Sequence, residues 1–126
     1  MNDDVVTINE LKQAVKKFCD ERDWEKFHSP KDLAIGIATE AAELLQIFRF
    51  KSENESKNML KDEKKRKEIG EELADVVYFV LRFAQLYGFD LSNELKNKLS
   101  ENEKRYPADL ARGSNAKYDE LESGKT

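Results

Sequence analysis

The chain has 126 residues, 38% of them charged and 39% hydrophobic, with 5 Gly, 2 Pro and a formal net charge of −4 from 22 basic and 26 acidic residues. That length allows one domain, residues 1–126, with one core, and the balance suits a mostly helical protein with many exposed charges. No basic face marks a nucleic-acid duplex as partner, no apolar run is long enough to span a membrane, and the single Cys19 excludes an internal disulfide or a cysteine zinc cage.

The start, Met1-Asn2-Asp3-Asp4, lacks the positive charge and apolar run of a signal peptide, so a cytoplasmic location is expected. Thr7-Ile8-Asn9-Glu10 is a capping box, and Ile8, Leu11, Val15 and Phe18 follow at helical spacing, predicting a helix to about Arg22. Cys19 falls in that stripe as a buried thiol. Residues 23–28 form a connection carrying Trp24, Phe27 and His28. Two readings stand for these three: a hydrophobic plug at a helix corner, or an aromatic wall around a planar ligand. Ser29-Pro30 opens a second helix to about Arg49, apolar on much of its surface through Leu33, Ile35, Ile37, Ala38, Ala41, Ala42, Leu44, Leu45 and Phe48. A helix this apolar is buried from several sides, by its own chain or by a second copy. Lys51–Glu63 reads as a polar, mobile loop. A long helix follows from Glu63 to Tyr87, stopped by Gly88, and Asp90 caps a fourth that ends near Arg105. Tyr106-Pro107 breaks it, and an irregular tail is expected over 109–126. The fold class is all-α: an antiparallel bundle of about four helices.

Glu40-x-x-Glu43 and Glu72-x-x-Asp75 each place two carboxylates on one helical face inside an alanine-rich, aliphatic run. They are either ordinary charges beside a helix stripe or the walls of a cation site that relieves their mutual repulsion. With oxygen ligands only, Mg²⁺ is the fitting ion, and it would bridge protein and phosphate oxygens. The one His lies on a connection, which disfavours a di-iron site. There is no Gly-rich phosphate loop and no Ser-His-Asp or Cys-His set. A phosphate grip would fall to basic side chains such as Lys51, Lys98, Arg105, Arg112 and Lys117, each of which also reads as a surface charge.

Those two acidic motifs, in this order, resemble the MazG-like all-α nucleoside triphosphate pyrophosphohydrolases. Further runs narrow the resemblance to the dCTP pyrophosphatase group: Glu21-Arg22-Asp23-Trp24 with Phe27-His28-x-Pro30, Phe48-x-x-Lys51, Glu71-Glu72-Leu73-x-Asp75-Val76, Lys98-x-x-x-Asn102-x-x-Arg105-Tyr106-Pro107, Arg112-Gly113-Ser114, and Lys117-Tyr118 with Glu120-Leu121. The resemblance implies cleavage between the α and β phosphates of dCTP or a related pyrimidine triphosphate, releasing a monophosphate and pyrophosphate. It assigns Mg²⁺ to Glu40, Glu43, Glu72 and Asp75. It assigns substrate contact to Trp24, Glu25, Lys26, Phe27, His28, Phe50, Lys51, Phe79, Lys98, Asn102, Tyr106, Arg112, Lys117 and Tyr118. It implies a homodimer or homotetramer with shared sites. Three positions depart from the group: Phe50 replaces Trp, Phe79 replaces Tyr and Val15 replaces His. Phe50 keeps a stacking face, whereas Phe79 and Val15 lack the polar groups. Two other functions stand beside the first: hydrolysis of another nucleotide such as dUTP, and a non-catalytic helical module for nucleotide binding or dimerisation.

Overall fold

Seven α-helices and one 3₁₀ turn account for the regular structure of residues 1–123, the part described by the computed structural model, and no strand occurs among them. Helix α1 spans Ile8–Asp20, behind the expected capping box: Thr7 Oγ1 accepts from the Glu10 amide at 3.1 Å, and the Glu10 carboxylate accepts from the Thr7 amide at 3.4 Å. It stops short of Arg22 because Asp23 adopts a left-handed backbone, φ 54°, which turns the chain into a single 3₁₀ turn at Glu25–Phe27. Ser29 caps α2 (Pro30–Phe48) by accepting from the Asp32 amide.

The expected mobile loop over Lys51–Glu63 is corrected by the structure, since Glu53–Met59 forms a helix, α3. Ser52 and Glu55 make a second reciprocal capping box, with bonds of 3.1 and 3.2 Å. This short helix has almost no apolar stripe, so hydrophobic periodicity does not reveal it; its cap does. Asp62 then caps α4 (Glu63–Tyr87), and Gly88 ends it at φ 77°, its amide donating to the Ala84 carbonyl. Helix α5 covers Leu91–Arg105 behind the Asp90 cap. The expectation of an irregular tail over 109–126 is corrected in part, since 112–117 lie in no helix and 124–126 lie outside the described residues. Ala108–Ala111 (α6) and Tyr118–Ser123 (α7) are helical, and the Tyr118 ring meets Tyr106 edge to face while the Arg105 guanidinium lies 5.2 Å from its centre.

The chain divides into two compact units, Met1–Phe89 and the part from Asp90 onward. In the first, α2 and α4 run antiparallel in register. Tyr87 bonds the His28 carbonyl at the mouth of α2, Phe79 lies against Gly36, and the acids of residues 40 and 43 face those of 75 and 72. As α2 advances, its partner on α4 retreats. Helix α1 also opposes α4, with Lys12 reaching the Phe89 carbonyl and Cys19 meeting Tyr78. Apolar burial among the described residues is confined to Cys19, Leu33, Ile69, Leu81 and Ala84, beside buried His28 and Arg82. Ile35 and Leu45 on α2, and Leu73 and Val77 on α4, remain about half exposed or more.

Candidate active site

The antiparallel register of α2 and α4 turns two i, i+3 pairs into one carboxylate cluster. Oxygens of Glu40, Glu43 and Glu72 lie within 4.8 Å of one another. Asp75 stands outside that trio, but its charge acts on both Glu40 and Glu72. One oxygen each of Glu40 and Glu72 is buried without a hydrogen-bond partner. Burial, then the close approach of Glu43, then the charges of Asp75 and Glu72 push the Glu40 carboxyl up to about 7. Glu72 is raised as well, first by burial and then by Glu43. Orphaned, mutually repelling carboxylate oxygens are what a hard divalent cation would satisfy, so the residues present fit a metal ion.

The cluster borders an aromatic cleft of about 490 Å³, lined by Ala14, Val15, Phe18, Trp24, Glu40, Asp75, Tyr78 and Phe79. The rings form a continuous edge-to-face series: Trp24 to Phe18 at 5.6 Å, Phe18 to Tyr78 at 6.1 Å, Tyr78 to Phe79 at 5.0 Å. Burial and the contact with Cys19 Sγ at 3.2 Å hold the Tyr78 phenol well above its ordinary value, so it stays neutral. A flat, uncharged ring would find aromatic faces in the cleft, and a cation held by the carboxylates at its edge would face any phosphate that the ligand carries.

Of the expected site residues, the structure brings Glu40, Asp75, Trp24 and Phe79 to this cleft, with Glu43 and Glu72 in the adjoining cluster. His28 is placed elsewhere. It is buried, its Nδ1 accepts from Arg82 Nε at 3.0 Å, and its carbonyl accepts from Tyr87 at 2.6 Å. Burial, then the Arg82 charge, lowers its pKa. His28 is thus the plug at the helix corner, while Trp24, edge-on to it at 6.5 Å, belongs to the aromatic wall. Glu25, Lys26 and Phe27 sit on the exposed 3₁₀ turn, with Lys26 paired to Asp23. Phe50 is 89% exposed in a left-handed conformation, φ 65°, with the Arg49 guanidinium over its ring. Lys51 lines a separate polar groove with Glu55, Asn58, Met59, Asp62 and Lys65. Lys98, Asn102, Tyr106, Arg112, Lys117 and Tyr118 all belong to the second unit, where Lys98 lies 3.7 Å from Glu101. Ala14, Phe18 and Tyr78 were not among the expected site residues. Ala14 and Phe18 read as core positions of α1, and the signal that could have found Phe18 is its place one turn before the Arg22-Asp23-Trp24 run.

The all-helical fold thus sets a carboxylate cluster that could hold a cation beside an aromatic cleft. The chain belongs to the MazG-like family, whose model matches residues 35–121. It is 35% identical over 118 residues to dCTP pyrophosphatase 1 of Mus musculus and of Homo sapiens, an alignment covering 94% of this chain and 69% of each relative. Its fold is similar to the crystal structure of a pyrophosphatase from Archaeoglobus fulgidus, with a TM-score of 0.74 and 36% identity over 79% of this chain and 92% of that one. No helix among the described residues is long and apolar enough to cross a membrane.

Proposed function

We propose that this chain is a Mg²⁺-dependent pyrophosphohydrolase that converts dCTP, or a closely related pyrimidine deoxynucleoside triphosphate, to the monophosphate and pyrophosphate, removing surplus nucleotides from the pool. The observation that carries this reading is the meeting of three glutamate oxygens within 4.8 Å at the edge of a cleft walled by Phe18, Trp24, Tyr78 and Phe79. Similarity to pyrophosphatases over nearly the whole chain supports the broader statement, that it is a nucleoside triphosphate pyrophosphohydrolase, a hydrolase acting on an acid anhydride. Glu40, Glu43 and Glu72 would hold the cation, with Asp75 as a fourth acid. When bound, the ion supplies charge neutralisation at the phosphates and a more acidic water. Trp24, Phe18 and Phe79 offer faces and edges to the base. Lys98, Arg112 and Lys117 are the proposed phosphate contacts, and Asn102, Tyr106 and Tyr118 are proposed to contact substrate as well. Phe50, as a stacking face, and Lys51, as a basic group, are the proposed substrate contacts of the α2–α3 connection.

The test is incubation with a panel of NTPs and dNTPs plus Mg²⁺, identifying products. Release of dCMP and pyrophosphate is expected; release of orthophosphate, or no hydrolysis of any nucleotide, overturns the reading. Val15 and Phe79 both line the cleft, so the base meets hydrocarbon where the dCTP group carries His and Tyr. That observation favours dUTP as a second substrate reading, and the same panel separates the two.

Assembly is proposed from the same helices. Ala34, Ala38, Ala41 and Leu45 form an exposed stripe along α2, flanked by Ile35 and Ala42, and Gly70, Leu73, Ala74 and Val77 form one along α4. Apolar stripes on both helices of the site call for a second copy of the chain, as a homodimer or homotetramer.

A further inference from the structure

Glycine in a helix interior lowers stability relative to alanine, so Gly36, in the first half of α2, needs a packing reason. The structure supplies one. A Cβ at position 36 would stand 2.6 Å from both Cδ1 and Cε1 of Phe79 and 2.9 Å from its Cγ. The phenyl ring is therefore seated against the bare backbone of α2. Gly36 lies one turn before Glu40 and Phe79 one turn after Asp75, so this contact is the rung of the α2–α4 ladder next to the acids. The Phe79 ring also meets Tyr78 edge to face at 5.0 Å, and Tyr78 is itself held edge to face by Phe18 and by contact with the fully buried Cys19. Phe79 itself lines the cleft. A ring displaced from Gly36 therefore alters the cleft wall.

We infer that Gly36 is a positioning residue which, by seating the Phe79 ring, sets the depth of the base cleft and so the size of base it admits. This rests on the cleft being the base site of the proposed hydrolase. Trp24 is the only tryptophan and lines the cleft, so its fluorescence reports occupancy without any turnover.

The experiment titrates dCMP and dAMP against wild type, G36A, F79L and the double variant G36A/F79L. In wild type, dCMP should change Trp24 emission saturably. In G36A its affinity should fall about tenfold or more, the scale on which a fitted apolar pocket rejects one extra carbon. The loss should be larger for dAMP, and in turnover it should fall on KM rather than kcat. In the F79L background, where the clashing ring is gone, adding G36A should cost little further dCMP affinity and should raise the melting temperature above that of F79L alone, because the methyl's helix propensity is kept and its clash removed. F79L alone should shift the dAMP-to-dCMP preference towards the larger base. Equal dCMP affinity in wild type and G36A overturns the inference, and so does an affinity loss from G36A that is as large in a folded F79L background as it is beside Phe79. Weakened divalent-cation binding with unaltered dCMP affinity in G36A also overturns it, since the methyl is then absorbed by parting α2 from α4. If wild type hydrolyses dNTPs but Trp24 ignores dCMP, the cleft assignment falls and the hydrolase reading stands. If wild type neither hydrolyses nor binds any nucleotide, the hydrolase reading falls and takes this inference with it.

Discussion

Glu40 is placed under two opposing demands. Its carboxylate must be charged to hold a cation, yet burial and three neighbouring acids favour the neutral form. Without metal the folded chain keeps its proton up to about pH 7, whereas the ordinary value is 4.5. The stabilisation this gives is complete below the ordinary value and is lost as pH rises through about 7. The metal-free protein should therefore melt at progressively lower temperature between about pH 5 and 7.5, and saturating Mg²⁺ should flatten that slope. His28 works in the opposite sense. Its lowered pKa gives stability present above the ordinary 6.5 and lost as pH falls. Comparing wild type with Glu40→Gln isolates the carboxylate, and an identical melting slope in the two would show that Glu40 carries no such strain. Glu43→Gln, which keeps size and removes one good ligand oxygen, should lower turnover by about a hundredfold or more and leave the metal-free fold as stable or more so. Near-normal turnover would remove Glu43 from the cation site. The four acids were legible because carboxylates embedded in alanine and aliphatic residues are unusual. That Asp75 stands outside the closest trio was not legible, since side-chain reach within a turn is not encoded in spacing.

At the level of elements, the helices with strong periodicity were readable to within a residue or two at most ends, and the register of α2 against α4 followed once both acidic pairs were required to meet. What stayed hidden was α3, whose formation depends on the Ser52–Glu55 cap rather than on a buried face. A helix of 7 residues has little intrinsic stability and leans on its termini. Ser52→Ala should cost about 1 kcal/mol of local stability. Amide hydrogen exchange across Glu53–Met59 should accelerate while α4 stays protected, and unaltered exchange there would show that the box is ornamental. The 3₁₀ turn was half legible. Its aromatic content was evident, but only the Arg82 bond to His28 separates the buried plug from the cleft wall, and a buried arginine 54 residues away leaves no local trace.

For the whole molecule, the telling feature is how little apolar surface one copy hides. Five apolar side chains are buried among the described residues, while Ile35 is 52% and Leu45 62% exposed on the helix that supplies Glu40 and Glu43. The surplus was readable as a helix apolar on too many sides, but the partner that covers it is not encoded in any single stretch. If a second copy packs on this stripe, a charge placed there must be desolvated or must prevent docking. Ile35→Glu should leave the helicity of the chain intact, because half of that side chain is already in contact with water, yet convert an assembled wild type into monomers. Activity should fall with assembly even though all four acids remain. Sedimentation of both proteins at low micromolar concentration, alongside turnover at the same concentration, is the direct measurement. A wild type that sediments as a fully active monomer would leave the exposed stripes of α2 and α4 without a function and would end the shared-assembly reading.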